Sequence, residues 1–110
     1  MHNVFEEIIK GKIPCNKVFE NDRILAFRDI APQAPVHILI VPKKSFANLS
    51  AATQEDQQLL GEMLLVAQDI AKKEKIEDYR VITNNGPGAG QMVYHFHLHL
   101  LGGRQLGILG

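Results

Sequence analysis

The stretch Val93-Tyr94-His95-Phe96-His97-Leu98-His99-Leu100-Leu101 decides how this chain is read. Imidazoles and apolar side chains alternate through it, and a period of two marks a strand with two unlike faces. Val93, His95, His97, His99 and Leu101 then share one face, and Tyr94, Phe96, Leu98 and Leu100 share the other. The second face is apolar apart from the tyrosine hydroxyl and is expected to pack on the core beneath a helix. The first presents three imidazoles about 6.6–7 Å apart from Cα to Cα. One histidine in a strand is ordinarily structural or solvated. Three in strict alternation, opposite a clean apolar face, point to chemistry.

Toward the N-terminus lie a glycine-rich loop, Asn84-Asn85-Gly86-Pro87-Gly88-Ala89-Gly90-Gln91, and before it a strand over Tyr79–Thr83. The spacing of Leu59, Leu60, Met63, Leu64, Val66, Ala67, Ile70 and Ala71 predicts one long helix with a continuous apolar stripe. Thr53 is its expected N-cap. Glu55 and Asp56 in the first turn, and Lys72, Lys73 and Lys75 at the far end, match the helix dipole in sign. Val36–Val41, bracketed by Pro35 and Pro42, is a strand of about six residues. Val18-Phe19 and Ile24–Phe27 flank the polar turn Glu20–Arg23 as a hairpin. Residues 3–10 form a short helix ended by Gly11 and Pro14. About five strands, one long helix and a short N-terminal helix, without βαβα alternation, predict an α+β fold with an antiparallel sheet. No repeat or linker divides the chain, so residues 1–110 are read as a single domain.

Composition narrows the function classes. A chain of 110 residues, 45% hydrophobic, supports a core without disulfides. Twelve Lys+Arg cancel twelve Asp+Glu, and a net charge of zero argues against binding duplex nucleic acid. The single Cys15 can neither pair within the chain nor supply the thiolates of a zinc finger, so a reducing, cytoplasmic setting is expected. No run approaches the ~20 apolar residues that cross a bilayer, and no membrane partner is expected. No P-loop or dinucleotide fingerprint occurs.

The histidine pattern admits two chemistries. Imidazoles at i and i+2 on a strand can ligate zinc or copper. Alternatively, one attacks a phosphorus centre while its neighbours manage charge and protons. The loop glycines suit the second, since their N–H groups can approach phosphate closely. His37 joins the cluster if its strand lies beside the triplet strand, and is otherwise a buried structural histidine. Asp29, at the end of the preceding strand, is placed to accept bonds from ribose hydroxyls or to cap a turn. Lys43, Lys44 and Arg104 are read as solvated, and nothing marks Cys15 as reactive.

The segment Tyr94–Leu101 resembles the signature of the histidine triad superfamily, His-φ-His-φ-His-φ-φ with φ apolar. Ile13-Pro14-Cys15, Phe27-Arg28-Asp29-Ile30, Pro32–His37, Val41–Lys44, Asn84-Asn85-Gly86 and Gly102–Gln105 extend the likeness to its nucleotide-binding branch, the purine nucleoside phosphoramidases. The resemblance implies a homodimer of small α+β protomers that join their sheets. It implies hydrolysis of the P–N bond of adenosine or guanosine phosphoramidates, and of related acyl-adenylates, with no cofactor and no metal. His97 would be the nucleophile, His99 would serve phosphate and leaving group, His95 would orient the cluster and His37 would support it. Asp29 would bind ribose, Phe27 and Ile30 would wall the base pocket, and Asn84, Gly90 and Gln91 would hold ribose and phosphate. Met92 stands beside the leaving group where many members carry serine, and a thioether donates no hydrogen bond. The tail Leu106–Gly110 lacks the tryptophan that some members use to shape the partner's site. Alternatives within reach of the same sequence are a dinucleoside polyphosphate hydrolase and a nucleotide-binding or interaction module with little turnover.

Overall fold

The computed structural model describes residues 3–110. Helix α1, Val4–Ile9, starts at Asn3, whose side-chain oxygen accepts the Glu6 N–H at 2.8 Å. Strands β1 (Lys17–Glu20) and β2 (Ile24–Arg28) form the expected hairpin, its turn held by Asn21 Oδ1, which accepts the N–H groups of Arg23 and Ile24. Strand β3 is Val36–Pro42, helix α2 is Gln57–Lys73, and strands β4 (Tyr79–Ile82) and β5 (Leu98–Gly102) follow. The sheet order is β1-β2-β3-β5-β4, with every neighbouring pair antiparallel. The architecture is the α+β arrangement that the sequence predicts.

Alternation along the central strands makes two unlike faces. Ile24 and Ala26 of β2, Ile38 and Ile40 of β3, and Leu98 and Leu100 of β5 gather with Met63, Ala67, Ile70 and Ala71 of α2 in one buried cluster. Leu25, Phe27, Leu39 and Val41 look the other way and pack with Phe5 of α1. Since β3 pairs with β5, with Leu39 opposite His99 and His37 opposite Leu101, the two histidine-bearing segments lie side by side on that second face.

Helix α2 starts one step later than predicted. Thr53 does act as a cap, but on a 3₁₀ turn, Gln54–Asp56, that leads into the helix. Thr53 and Asp56 close a capping box, and Lys44 pairs with the Asp56 carboxylate. Lys44 is therefore tied to the helix start rather than merely solvated. Leu64, assigned to the buried stripe, is 54% exposed, because the apolar residues wrap further round the helix than the sheet can cover.

The predicted strand Val93–Leu101 is shorter than expected. Ladder pairing begins at Leu98, opposite Ile40, so His95 and His97 precede the strand. Continued in register, Phe96 would face Pro42, which has no N–H to donate. The backbone turns aside there: the Phe96 N–H bonds to the Phe46 carbonyl at 2.7 Å, and the Pro42 carbonyl takes a histidine ring instead. Phe96 still packs against the α2 side, as alternation requires, whereas Tyr94 is 47% exposed and leaves the core.

Candidate active site

His95 lies at the base of the histidine cluster, wholly buried. Its Nε2 stands 2.7 Å from the Pro42 carbonyl, which can only accept, so Nε2 carries the proton. Its Nδ1 is left to accept from the Asn3 side-chain amide at 3.3 Å. The next ring is set by the same logic. His97 Nδ1 lies 2.7 Å from the His95 carbonyl and must donate, which leaves His97 Nε2 with a free lone pair. Thr83 Oγ donates to the His97 carbonyl at 2.8 Å, fixing this backbone to the end of β4, and the Phe5 ring meets the His97 ring edge-on with centroids 5.0 Å apart.

The remaining pair has the opposite polarity. The Gln33 N–H donates to His37 Nδ1 at 3.0 Å, so the His37 proton sits on Nε2. That nitrogen is 3.0 Å from His99 Nδ1, to which it donates, and 3.4 Å from Asp29 Oδ2. His99 in turn holds its proton on Nε2. Two adjacent imidazoles, with centroids 4.9 Å apart, thus present a lone pair on His97 and an N–H on His99.

These states require neutral rings, and the surroundings favour them. Burial lowers the pKa of His97 below its ordinary value, the carbonyl of His95 opposing. Burial, then the neighbouring His97 and His37, push His99 down to about 4. Burial also lowers His37, against the pull of Asp29.

The cluster opens into a cleft of about 470 Å³. His97, His99, Phe27, Asp29, Ile30, Asn84, Gly90 and Met92 all line it, as do Phe5, Ile8, Cys15, Leu39 and Val93, which the sequence reading did not name as site residues. Leu39 carried a usable signal, since it stands two residues from His37 on one strand. Phe5, Ile8 and Cys15 carried none, because only tertiary packing brings residues from the N-terminal segment to the cleft. His37 and His95 stand behind the lining residues, bonded respectively to His99 Nδ1 and, through the His95 carbonyl, to His97 Nδ1. Ile30 and Met92, 101% and 89% exposed, mark the mouth. Gly90 adopts φ +93°, a left-handed turn that favours glycine.

Gln91 is placed differently from expectation. Its side chain is buried, donating to the carbonyls of Ala47 at 2.7 Å and Val93 at 3.0 Å and accepting the Gly86 N–H at 2.8 Å. It braces the glycine-rich loop from behind and does not line the cleft. The side-chain amide is spent on the protein's own backbone, so it cannot also hold ribose or phosphate.

Among the described residues, ligand atoms of Asp29, His37 and His99 lie within 4.8 Å of one another. As hydrogen-bonded here they fit a cation poorly. The Gln33 N–H occupies the lone pair of His37 Nδ1, so His37 Nε2 keeps its proton and has no lone pair to give. His99 Nδ1 likewise accepts the His37 N–H while its Nε2 carries a proton, so of the three grouped residues the Asp29 carboxylate alone keeps a lone pair to offer.

Comparison with known proteins agrees with this geometry. The HIT domain family matches residues 10–106. The chain is 56% identical over 104 residues to an uncharacterized HIT-like protein of Synechococcus elongatus, covering 94% of this chain and 91% of that one. It is 51% identical over 106 residues to the 14 kDa zinc-binding protein of Zea mays, covering 94% and 83%. The crystal structure of a HIT family hydrolase from Legionella pneumophila Philadelphia 1 superposes with a TM-score of 0.94 at 47% identity, covering 96% of each chain. A HIT family hydrolase from Clostridium thermocellum also gives 0.94, at 41% identity over 98% of this chain and 96% of that one. Histidine pattern, fold and relatives converge, and the chain belongs to the HIT domain family.

Proposed function

We propose that this protein is a hydrolase, specifically a purine nucleoside phosphoramidase that cleaves the P–N bond through a nucleotidyl-histidine intermediate. One observation carries the reading: the lone pair of His97 Nε2 beside the N–H of His99 Nε2, each set by a bond on the far side of its ring. A nucleophile and a donor so paired suit displacement at phosphorus. The hydrolases of Legionella and Clostridium with the same fold support the general class.

In this reading each residue has a task. The apolar walls, Phe27 and Leu39 among them, take the purine, Asp29 takes ribose hydroxyls, and Asn84 serves the phosphate. The N–H groups of Ala89, Gly90 and Gln91 are spent on the carbonyls of Gly86 and Pro87 within the loop. His97 Nε2 attacks phosphorus, and the P–N bond breaks on the opposite side. As the anionic phosphate binds, His99 takes a solvent proton at Nδ1 while the His37 Nε2–H shifts to Asp29 Oδ2, 3.4 Å away. His99 Nε2 then gives its own proton to the departing amine and becomes neutral again. The new N–P bond makes the His97 ring cationic, which strengthens its Nδ1–H bond to the His95 carbonyl. Water then attacks phosphorus, His97 leaves with its lone pair restored, and the proton taken up in the first step returns to solvent through His99.

Arg28 is the cation among the cleft-lining residues, and it is committed to Glu74 through bonds of 3.0 and 2.8 Å. A polyphosphate leaving group would find little there to neutralise it, which favours phosphoramidates over dinucleoside polyphosphates. The homodimer belongs to the same proposal. Strand β4 pairs with β5 along one edge and with no strand along the other among the described residues, so its outer edge can extend the sheet into a second copy. Sedimentation at micromolar concentration would report a monomer if this is wrong.

The test is steady-state hydrolysis of adenosine phosphoramidate, wild type against His97→Ala, with a chelator throughout. Wild-type turnover is expected, with a loss of roughly a thousandfold or more in the variant, the scale on which covalent machinery fails as a unit. Binding of AMP without wild-type turnover would support a binding module instead.

A further inference from the structure

We propose that Arg104, an exposed residue outside the cleft, is a positioning residue for the proton donor of the site. Its guanidinium Nη2 donates to the Gln33 carbonyl at 2.7 Å. Gln33 is the residue whose N–H donates to His37 Nδ1 at 3.0 Å, and His37 Nε2 donates to His99 Nδ1 at 3.0 Å. Three consecutive bonds thus run from Arg104 to the ring that faces the leaving group.

The chain of bonds matters because His37 has no intrinsic preference strong enough to decide which nitrogen holds its proton. The Gln33 N–H at Nδ1 makes that choice, with the Asp29 carboxylate 3.4 Å from Nε2 acting in the same sense. Gln33 sits in a stretch between β2 and β3 that is tied to the ladder at its start, where the Asp29 N–H donates to the His37 carbonyl at 3.0 Å. Further along, what holds this stretch is the segment after β5. Gly103, at φ +92°, brings its backbone so close to Pro35 that an added Cβ would stand 3.0 Å from the proline Cβ. Arg104, next in sequence, reaches back to Gln33. Asp29 Oδ1, accepting the Ala31 N–H at 2.8 Å, and Gln33 Nε2, donating to the Ala31 carbonyl at 3.1 Å, are ties internal to the stretch. The Arg104 bond is the side-chain tie that anchors it to the far end of the sheet. Loss of that tie frees Gln33 to turn, lets the His37 proton move to Nδ1, and reverses the donor at His99.

The proposal rests on the phosphoramidase reading for its kinetic arm and on the hydrogen bonds alone for its spectroscopic arm. Arg104→Met keeps the stem of the side chain and removes the donors, and Arg104→Lys keeps a donor. Nitrogen NMR of the histidine rings is expected to show His37 protonated at Nε2 in wild type and Arg104→Lys, and a mixture of tautomers in Arg104→Met. With adenosine phosphoramidate, kcat is expected to fall roughly three- to tenfold in Arg104→Met at unchanged KM, the range in which one lost hydrogen bond reads out. The nitrophenyl ester of AMP, whose leaving group departs without a proton, is expected to be hydrolysed at nearly the wild-type rate. An unchanged His37 tautomer in Arg104→Met overturns the proposal, as does an equal loss on both substrates. If wild type hydrolyses neither substrate, the phosphoramidase reading falls, and the ring spectra still decide whether Arg104 sets the tautomer.

Discussion

The two faces of the central sheet use the same strands for opposite ends. On the α2 side, Ile24, Ile38, Ile40, Met63 and Leu100 are each 0% exposed and pack together in one apolar cluster. On the α1 side, Phe5, Phe27 and Leu39 share space with four imidazoles, and the short helix leaves a cleft open. The first face stabilises by burial, at about 1.5–3 kcal/mol for each large aliphatic side chain. The second surrenders part of that burial to hold polar rings, and it can do so because every ring is bonded. Among the described residues no buried side-chain nitrogen or oxygen lacks a partner. A site of neutral imidazoles is thus compatible with a small core, provided the hydrogen-bond ledger closes.

Perturbations aimed at one face should separate stability from activity. Ile40→Ala, on the closed face, is expected to cost about 2–5 kcal/mol in urea unfolding, while kcat per folded molecule stays near wild type. A comparable loss of kcat would show that the faces are coupled through β3.

The histidine face should respond to pH instead. The His97, His99 and His37 rings all have folded-state pKa values below the ordinary 6.5, with His99 at about 4. Between those values the unfolded chain binds more protons than the native one, so stability is full above pH 6.5 and declines as pH falls toward 4. Urea titrations across that range should show the decline, and a shallower one for His99→Asn. By the same sign the acidic limb of kcat/KM should lie below pH 6.5, because His97 keeps its lone pair there.

The smallest effect is expected at the mouth of the cleft. Ile30 is 101% exposed, so Ile30→Ser should shift stability by no more than about 0.5 kcal/mol. Its mark should be a higher KM for purine nucleotides, read against an unchanged melting temperature.

Much of this organisation is legible in the sequence because it rests on periodicity. Alternation in Val36–Pro42 and in Phe96–Leu100 separates the two faces, and the stripe of α2 follows from its 3.6-residue repeat. What escapes is whatever depends on a partner distant in the chain. The start of β5 is set by the missing N–H of Pro42, on a strand far away in sequence. The fate of Gln91 is set by the carbonyl of Ala47, and the contact of Phe5 with His97 by the docking of α1. Arg104 reads as a surface charge until the fold places Gln33 beneath it. The resemblance names the histidines, but only the bonds behind them say which nitrogen of each is free.

Asn3 bears on how the molecule comes to exist. The residue that caps α1 also bonds His95, 92 positions further along the chain. Loop closure over such a distance is slow and contributes little until the intervening strands are in place. A growing polypeptide emerging from the ribosome can build the β1–β2 hairpin and α2 early, but His95 follows only after β1, β2, β3, α2 and β4 have been made. The helix beside the cleft can seat Phe5 against Phe27, Leu39 and Val41 as soon as β3 is in place, whereas its bond from Asn3 to His95 closes afterwards. The apolar wall of the cleft is thus built before the histidines are locked to it.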